Sequence, residues 1–486
     1  MTRQELCSIL QNTPLPDSEV TAVSFAEGGT VPVEDFGTTV TDLPAFYRVQ
    51  TLSHPGPRSH IRSEIWLPVQ WNGRLVGTGN GGIGGRLNTA SMADFLRAGY
   101  ACAHTDLGTS AGLLCGYQNT DVREDYGWRA THWMTLCAKA LVRACYGRAP
   151  AYAYFSGCST GGLQGYREAQ RYPEDYDGIY AGVPSIINTV YHTGYLWDHV
   201  HLRTADGRRL FDTAAFDRLS ALAAAYFQAR GDGETGDGFV TCPYHGADTV
   251  DGFMLYLQKA APELTAEQRA ALRAVYTGPA DPVTGRQIAC GMPIGSERSM
   301  AGFDGPDCPG LYPFLWAFGP DFDPYRFDFS TDFAAFHREM GDYINAVDPD
   351  LSAFRAHGGK LLAFSGTADP VVPYPETDIY YERAAAAAGG AAACREFFRY
   401  FLLPGRAHGG GVGADRISAP GQNGMTAFDA LVRWREEGAA PETLDAVSSA
   451  DPSVPGKKPF TRTIYPYGSD AFPFREHPAT YGLSLI

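Results

Sequence analysis

The 486-residue chain lacks several features that would assign it to other functional classes. No run of 18 or more apolar residues is present, which argues against a membrane-spanning helix. The ten cysteines include no Cys-x-x-Cys pair, which argues against a zinc ribbon or a thioredoxin-type site. Basic residues are in deficit, since 39 Lys and Arg face 54 Asp and Glu and the net charge is -15. Because such a charge repels phosphate groups, nucleic acids and membrane surfaces are not expected partners.

The first residues also lack the pattern of a secretory leader. The segment MTRQELCSILQN carries one arginine and no apolar core of the length that a signal peptide needs. With 44% apolar and 19% charged residues, the composition is that of a globular enzyme. We therefore expect a globular enzyme without a signal peptide.

Strand and helix patterns alternate on both sides of a long insertion. Short apolar runs bounded by glycine or proline predict strands at 60–68, 73–79, 99–106, 151–156, 360–366 and 396–403. Apolar residues at helical spacing predict helices at 125–146, 161–172 and about 424–437. This alternation favours an α/β fold, with a mostly parallel sheet and helices on both faces. Residues 186–352 are predicted to be an inserted domain, which leaves 1–185 and 353–486 as the core.

The sequence Gly157-Cys158-Ser159-Thr160-Gly161 is a G-x-S-x-G motif between a predicted strand and a predicted helix. A turn of this kind is too tight for most side chains, and it lifts the serine hydroxyl above the edge of the sheet. We therefore interpret Ser159 as a nucleophile. Because the pentapeptide alone is a weak signal, a glycine-rich turn with a hydrogen-bonded serine is the alternative.

A serine nucleophile needs a base and an acid that orients the base. Asp369 follows the predicted strand 360–366, and His408 follows the predicted strand 396–403. Open α/β sheets gather their sites at such strand ends, and Ser, Asp, His is the chain order of this type of hydrolase. Taken singly, an aspartate before proline is typical of a turn, and a lone histidine is commonly packed or solvated. Order and placement together favour a Ser159–His408–Asp369 triad.

The glycine-rich segment 79–85, GNGGIGG, follows an early predicted strand. Backbone N–H groups at Gly81 and Gly82, together with that of Thr160, are candidates for stabilising an oxyanion. The segment matches neither GxxxxGK[ST] nor GxGxxG, which argues against a phosphate-binding loop. A flexible loop without a role in the chemistry is the alternative.

Four segments of the chain resemble the tannase and feruloyl esterase family of α/β-hydrolases. They are YGRAPAYAYFSGCSTGGLQGYREAQRYPEDYDGIYAGVP at 146–184, GNGGIGG at 79–85, GTADPVVPYPETDIYYERA at 366–384 and FRYFLLPGRAHGGG at 398–411. The resemblance covers most of the chain, and its first segment is long enough to be specific. It implies hydrolysis of aromatic acid esters, such as galloyl or hydroxycinnamoyl esters, beneath a lid formed by the insertion 186–352.

On this resemblance the lid supplies the contacts to the acyl group. Its aromatic side chains would line the acyl pocket, and Arg298 would meet an acidic substituent of the substrate. The aromatic candidates are Trp197, Phe303, Tyr312, Phe314, Trp316 and Phe318. Trp316 and Phe318 are the two that we select, with Arg298, as substrate-binding residues. Aromatic residues are more often part of a core, which is the alternative for each of them.

The chain departs from the family pattern at its cysteines. The resemblance implies a disulfide between Cys158 and a cysteine directly after the catalytic histidine, but Gly409 follows His408. A second family cysteine, near the C-terminus, is replaced at about Tyr465. These losses favour a reducing cytoplasm, in which His408 is held by packing and by its acid partner alone. Secretion, with the leader already removed, is the alternative.

The acidic segment 231–238, GDGETGDG, resembles the calcium loop of the family. Asp232 and Asp237 are the candidate ligands. The spacing is one residue longer than in the family, and Ala229 stands about where an earlier aspartate is expected. A solvated acidic loop is therefore the alternative to a structural calcium ion, and the predicted chemistry requires no cofactor.

Together these residues predict a serine esterase that transfers an acyl group to water. Ser159 would attack the ester carbonyl while His408 accepts its proton, and Asp369 would fix the imidazole tautomer. The expected partner is a small aromatic ester, and no pattern indicates the oligomeric state. Two alternatives stay open: a serine acyltransferase or thioesterase for carrier-bound acyl groups, and a non-catalytic binding protein on the same fold.

Overall fold

The chain folds into two compact units in the computed structural model, which describes residues 1–204, 206–234, 236–243, 247–300, 309–419, 426–452, 454 and 456–473. The first unit comprises Met1–Ile186, Phe314–Asp321 and Asp342–Leu362. The second comprises Ile187–Pro313, Phe322–Gly341 and Ala363–Ile486. The predicted boundary near residue 186 coincides with the end of the first range. The C-terminal part of the predicted core belongs to the same unit as most of the predicted insertion.

The strands of the described residues form one mostly parallel sheet and two small antiparallel ones. They are β1 (Ser18–Ala26), β2 (Gly29–Val33), β3 (Thr38–Leu43), β4 (Phe46–Ser53), β5 (Ile61–Pro68), β6 (Arg74–Thr78), β7 (Ala101–Thr105), β8 (Tyr152–Cys158), β9 (Gly178–Gly182), β10 (Lys360–Gly366), β11 (Phe398–Leu403), β12 (Arg416–Ser418), β13 (Leu444–Ser448) and β14 (Phe460–Ile464). Each of the predicted strands has a counterpart among them.

Within the first unit the order of the main sheet is β1-β4-β5-β7-β6-β8-β9, and the first residues of β10 follow β9. The pairs β1/β4, β4/β5 and β5/β7 are antiparallel, whereas β6 is parallel to β7 and to β8, and β8 is parallel to β9. In the second unit the rest of β10 neighbours β11, and β12, β13 and β14 form an antiparallel sheet. The predicted mostly parallel α/β architecture is confirmed.

The helices are α1 (Arg3–Gln11), α2 (Ala93–Arg97), α3 (Thr120–Glu124), α4 (Ala130–Tyr146), α5 (Thr160–Arg171), α6 (Asn188–His201), α7 (Thr213–Gln228), α8 (Ala247–Ala260), α9 (Ala266–Thr277), α10 (Glu297–Met300), α11 (Tyr312–Phe318), α12 (Thr331–Ile344), α13 (Ser352–Ala356), α14 (Tyr374–Ala387), α15 (Ala391–Arg395) and α16 (Ala427–Glu437). The helix predicted from residue 125 begins with one π-helical turn, Asp125–Arg129, before α4. None of the helices in the described ranges is long and apolar enough to span a bilayer.

Burial explains why several strands were visible as largely apolar runs. Every residue of β7 and of β11 is buried. A strand that is covered on both faces loses the alternation of apolar and polar residues. In contrast β1 is half-exposed along its length, and its alternation is weak enough that the sequence predicted no strand there.

The predicted insertion has a hydrophobic core of its own. Helices α7, α8 and α9 pack around buried residues that include Phe216, Phe253, Leu257 and Leu272. These three helices are regular α-helices. Burial of large apolar side chains therefore stabilises this helical part of the second unit.

Candidate active site

Ser159 lies in a strained turn between β8 and α5. Its backbone has φ 61° and ψ -120°, a region that residues other than glycine rarely adopt. Two hydrogen bonds hold the turn: the Ser159 N–H donates to the Gly182 carbonyl at 2.9 Å, and the Ser159 carbonyl accepts from the Ser185 N–H at 3.2 Å. A serine kept at such a turn, where a strand meets a helix, is the geometry of a nucleophile elbow.

The glycines around Ser159 are required by close backbone approach. A Cβ atom on Gly157 would lie 2.6 Å from the carbonyl carbon of Gly161, and one on Gly79 would lie 2.5 Å from the Gly161 Cα. The Gly161 N–H donates to the Asn80 carbonyl at 2.8 Å. The segment 79–85 is therefore fastened directly to the turn that carries Ser159.

Within that segment Gly81 and Gly82 stand in open space. Nothing lies within 4 Å of a Cβ built on either residue. The Gly82 carbonyl accepts a hydrogen bond from the Thr160 hydroxyl at 2.7 Å. This bond turns the Gly82 carbonyl toward α5, and the peptide around Gly81 and Gly82 remains accessible to a ligand.

Asn80 anchors the segment through hydrogen bonds to three other residues of the first unit. Its backbone N–H donates to Gln164 Oε1 at 2.8 Å, and its side-chain amide donates to the Thr105 carbonyl at 2.7 Å and lies 3.3 Å from His104 Nε2. Burial lowers the pKa of His104 to about 4, so this ring is neutral and accepts from Asn80. Gln164 and His104 thus fix the loop. The motif could have suggested Gln164, since it lies one turn after Ser159.

Asp369 and His408 form a hydrogen-bonded pair in the second unit. His408 Nδ1 lies 2.8 Å from Asp369 Oδ2. Asp369 is fully buried, and its Oδ1 accepts the N–H groups of Val371 and Val372 at 2.8 and 3.0 Å. These donors hold the carboxylate in one orientation toward the imidazole, which is the arrangement that the base of a triad needs.

The electrostatics of this pair favour a protonated imidazole. Burial lowers the pKa of His408, but the charge of Asp369 and its hydrogen bond outweigh burial, so the pKa lies above its ordinary value. A carboxylate that stabilises the imidazolium in this way supports a histidine that first accepts a proton and then returns it.

The loops that carry Asp369 and His408 are bound tightly to each other. The Gly405 N–H donates to the Thr367 hydroxyl at 2.8 Å, and the Ala368 N–H donates to the Arg406 carbonyl at 3.1 Å. A Cβ on Gly366 would lie 2.2 Å from that same carbonyl oxygen. These short contacts therefore fix the separation of the two loops.

The His408 loop is also held by cationic side chains. The sequence had led us to expect that packing and Asp369 alone would hold His408. Lys457 Nζ donates to the Gly411 carbonyl at 2.8 Å and pairs with the Asp415 carboxylate. Arg406 donates to the Ala414 carbonyl at 3.3 Å and to the Asp415 carbonyl. No composition or spacing pattern near His408 indicates a contact to Lys457.

A cavity of about 340 Å³ lies in the second unit beside these loops. Its walls include Ala368, Ala407 and Gly411, and further along Phe239 and Arg298. The Arg298 Nε donates to Asp217 Oδ1 at 2.6 Å. Of the predicted substrate-binding residues, Arg298 is thus placed at a cavity that adjoins the His408 loop.

The two selected aromatic residues lie in the first unit. Trp316 is fully buried, and its Nε1 donates to the Leu113 carbonyl at 2.8 Å. Its ring packs edge-to-face on Tyr126, with 5.4 Å between ring centroids. Phe318 is 37% exposed. Contact of Trp316 or Phe318 with a substrate stays a prediction.

The other aromatic candidates are distributed over both units. Tyr312 and Phe314 are buried, and Trp197 donates from Nε1 to the Ala274 carbonyl at 2.9 Å. Phe303 lies outside the described residues. The role of these four residues in an acyl pocket stays a prediction.

The predicted calcium ligands have hydrogen-bond partners within the second unit. Asp232 accepts the N–H groups of Cys242 and Thr241 at 3.0 and 2.7 Å, through Oδ1 and Oδ2 respectively. Asp237 pairs with the guanidinium of Arg462, whose Nη1 lies 2.7 Å from Oδ2. Burial raises the pKa of Asp232. Both carboxylates therefore already serve protein donors.

A separate cluster of possible metal ligands lies in the first unit. His132 Nδ1 is 2.5 Å from Asp175 Oδ2, and Glu168 is buried beside them. Burial and the Asp175 carboxylate raise the pKa of Glu168. The ammonium of Lys139 lies 3.5 Å from Asp175 Oδ1 and supplies positive charge to the cluster. The cluster thus combines a hydrogen-bonded His132–Asp175 pair with a buried Glu168 carboxyl group and one nearby ammonium.

Comparison with known proteins places the chain in one family. The family model of tannase and feruloyl esterase matches residues 48–308 and 319–472. An uncharacterized esterase of Xanthomonas campestris is 30% identical over 495 residues, with 92% of this chain and 84% of that protein covered. Feruloyl esterase B of Aspergillus niger is 30% identical over 429 residues, with 80% and 76% covered.

Solved structures show the same fold. The crystal structure of feruloyl esterase B from Aspergillus oryzae has a TM-score of 0.80 at 24% identity and covers 95% of this chain and 96% of its own. Tannin acyl hydrolase from Aspergillus niger has a TM-score of 0.75 at 20% identity, with 96% and 92% covered. The chain therefore belongs to the tannase and feruloyl esterase family, as a carboxylic ester hydrolase of the α/β-hydrolase fold.

Proposed function

We propose that this chain is a serine esterase that hydrolyses esters of aromatic carboxylic acids, with Ser159, His408 and Asp369 as its catalytic triad. The observation that carries the proposal is the hydrogen bond of 2.8 Å between His408 Nδ1 and the buried carboxylate of Asp369. With the proton on Nδ1 committed to Asp369, Nε2 is the ring nitrogen that would accept a proton from a serine. The strained turn at Ser159 supports the other half of the assignment.

In the first half-reaction Ser159 Oγ attacks the ester carbonyl, and its proton passes to His408 Nε2. The negative charge that develops on the carbonyl oxygen is stabilised by backbone N–H groups of Thr160 and of the peptide at Gly81 and Gly82. The open space around those two glycines supports this role. The tetrahedral intermediate collapses, the imidazolium protonates the leaving alcohol, and the acyl group remains on Ser159.

In the second half-reaction a water molecule takes the place of the alcohol. His408 accepts a proton from the water while the oxygen attacks the acyl carbonyl, and the same N–H groups stabilise the second oxyanion. Collapse of this intermediate returns the proton to Ser159 Oγ and releases the acid. Asp369 stabilises the imidazolium in both halves.

We propose an aromatic acid as the acyl group because of the names of the relatives, and a cavity in the second unit supports this choice. Relatives of this chain are named feruloyl esterase and tannin acyl hydrolase. The cavity beside the His408 loop has about 340 Å³, within the usual range of small-molecule pockets, and Phe239 forms part of its wall. Arg298 at the same cavity would favour a substrate with an acidic substituent. A lid role for residues 186–352 is part of this proposal.

The proposal is tested by measuring free acid released from methyl gallate, methyl ferulate, chlorogenate and a short-chain nitrophenyl ester. Wild type is assayed beside Ser159→Ala, with thermal unfolding of both proteins as the folding control. We expect hydrolysis of at least one aromatic ester by wild type, and a loss on the order of 10⁴-fold or more in the variant.

The outcomes separate the alternatives. Activity on the nitrophenyl ester alone would keep the triad and reject the aromatic acid. Preferential transfer to an added alcohol instead of water would indicate an acyltransferase. Failure of wild type to react with a fluorophosphonate probe would indicate a binding protein without a reactive serine.

We also propose a reducing compartment for this chain, such as the cytoplasm. Support comes from Gly409, which stands where the family resemblance implies a cysteine that pairs with Cys158. Thiol titration of the denatured, unreduced protein should find most of the ten cysteines reactive. A low thiol count would reject this location in favour of secretion.

A further inference from the structure

A basic segment, residues 457–462, connects two loops of the second unit. From this segment Lys458 Nζ donates to the Gly236 carbonyl at 2.8 Å, within the acidic loop 231–238. Lys457 Nζ donates to the Gly411 carbonyl at 2.8 Å, in the loop that follows His408. The cations of the segment thus contact both the predicted metal loop and the His408 loop.

Arg462, on β14, makes the strongest of these contacts. Its Nη1 donates to Asp237 Oδ2 at 2.7 Å, its Nη2 donates to Oδ1, and its Nε lies 3.4 Å from Glu234 Oε1. The side chains of Arg462 and Asp237 are 16% and 8% exposed. A bidentate pair that is this well shielded from water is held more firmly than a surface ion pair.

Aromatic packing fixes the guanidinium in place. Its central carbon lies 4.6 Å from the ring centroid of Phe460 and 5.6 Å from that of Phe239. The hydrogen bond to Asp237, together with the charges of Asp237 and Glu234, raises the pKa of Arg462 above its already high value. The charge on this side chain is therefore permanent at any pH at which the protein is folded.

The same contacts decide whether a calcium ion fits the loop. Calcium takes six to eight oxygen ligands. Both oxygens of Asp237 bind the guanidinium, and both oxygens of Asp232 accept backbone N–H groups. The Gly236 carbonyl binds an ammonium, and Ala229, the C-cap of α7, has no side-chain oxygen. As arranged, the loop does not fit the ion that the family resemblance implies.

We propose that the guanidinium of Arg462, assisted by the ammonium of Lys458, is the resident cation of the acidic loop 231–238. The loop is then held by a side chain of its own polypeptide, and its order depends on the β13–β14 pairing and not on the concentration of a metal ion. Because Gly236 and Gly411 both line the cavity beside the His408 loop, the basic segment also contacts two parts of the cavity wall.

The test measures thermal unfolding of the full chain, so that its result is independent of whether the protein is an esterase. For wild type, excess EGTA and millimolar calcium should give melting temperatures equal to within about 1 °C. Calorimetric titration of wild type with calcium should give no binding heat. A melting temperature that falls in EGTA, or saturable binding of calcium to wild type, would overturn the proposal even if no variant folds.

Arg462→Gln should lower the melting temperature by on the order of 5 °C, because it leaves the shielded Asp237 carboxylate without its cation. The matched control is Arg273→Gln, which breaks an exposed pair with Asp251 at 2.5 Å in the same unit. The control should shift the melting temperature by about 1 °C or less. Equal shifts in the two variants would contradict the proposal.

A double-mutant cycle then isolates the pair. Asp237→Asn and Arg462→Gln should each destabilise the protein, and the double variant should lose clearly less than the sum of the two single losses. Strict additivity of the shifts would show that Arg462 is not the cation that Asp237 needs.

Discussion

The turn at Ser159 and the loop at His408 are held in place by different kinds of contact. Around Ser159 the contacts join backbone to backbone, and the Gly157 and Gly161 main chains approach so closely that no side chain fits. The His408 loop also has backbone contacts, but distant side chains hold it as well, among them Lys457, which contacts a carbonyl 46 residues away in sequence. A backbone-built turn leaves a local pattern in the sequence, whereas a loop held by distant charges leaves none.

The largest effect should come from removing the charge that His408 depends on. Asp369→Asn should lower kcat on the order of 10⁴-fold, because the amide no longer stabilises the imidazolium or fixes its tautomer. The acid limb of kcat/KM should also move. In wild type the Asp369 carboxylate holds the pKa of His408 above its ordinary value; without the carboxylate burial dominates, so the limb should shift to lower pH. A pH–rate profile of each protein measures both values.

The control for this change is stability. Asp369→Asn keeps the shape of the side chain, so the variant should unfold at the wild-type temperature. Its pH–rate profile should nevertheless show the shifted acid limb. An unchanged pH–rate profile in the variant would show that Asp369 is not part of the triad. The assignment of His408 as the base would then lose its support.

The next prediction compares a glycine in the turn at Ser159 with a glycine in the loop at His408. Gly157→Ala should reduce the free energy of unfolding by on the order of 3 kcal/mol, because the new Cβ would meet the Gly161 backbone. Gly409→Ala is the matched change beside His408, where nothing lies within 4 Å of a Cβ. It should alter stability by about 0.5 kcal/mol or less. Chemical denaturation of both variants measures the two changes in the free energy of unfolding. Equal changes would contradict the contrast between the two regions.

Loss of a distant charge should affect the His408 loop more moderately. Lys457 is 5% exposed at its side chain, and Lys457→Met would leave the Gly411 carbonyl and the Asp415 carboxylate without this donor. We expect a loss of roughly 2 kcal/mol in the free energy of unfolding and a fall in kcat of roughly tenfold as the loop loosens.

The matched control is Lys259→Met, at an exposed position of α8. Kinetics and denaturation of both variants should separate a contact at the His408 loop from a general loss of one positive charge. If Lys259→Met lowers kcat as much as Lys457→Met does, the contact at Gly411 has no part in positioning His408.

The smallest effect concerns backbone strain at Ser159. Ser159→Gly should be more stable than Ser159→Ala by about 1 kcal/mol, because glycine adopts φ 61° without a Cβ penalty. Both variants should be inactive, so only thermal or chemical unfolding distinguishes them. Equal stability would mean that the turn stores no strain at this residue.

Much of the fold and part of the site could be predicted from local patterns. The runs that became β7, β10 and β11 were visible because these strands are buried along most or all of their length and are therefore largely apolar. In contrast β1 was not predicted, since it is half-exposed, and β14 was hidden in a tail of prolines and aromatic residues. The support that Gln164 and His104 give to Asn80 was missed, because it depends on hydrogen bonds between segments that are far apart in the sequence.

The sequence by itself determined the parts of this protein that depend on neighbouring residues. The strained turn at Ser159 follows from glycines that flank it within a few positions, and the places of Asp369 and His408 follow from the ends of two apolar strands. Only the tertiary structure decided what holds these parts. The contacts of Arg462 with Asp237 and of Lys457 with Gly411 join segments far apart in the chain, and attraction between charges depends on distance in space and not on distance along the sequence.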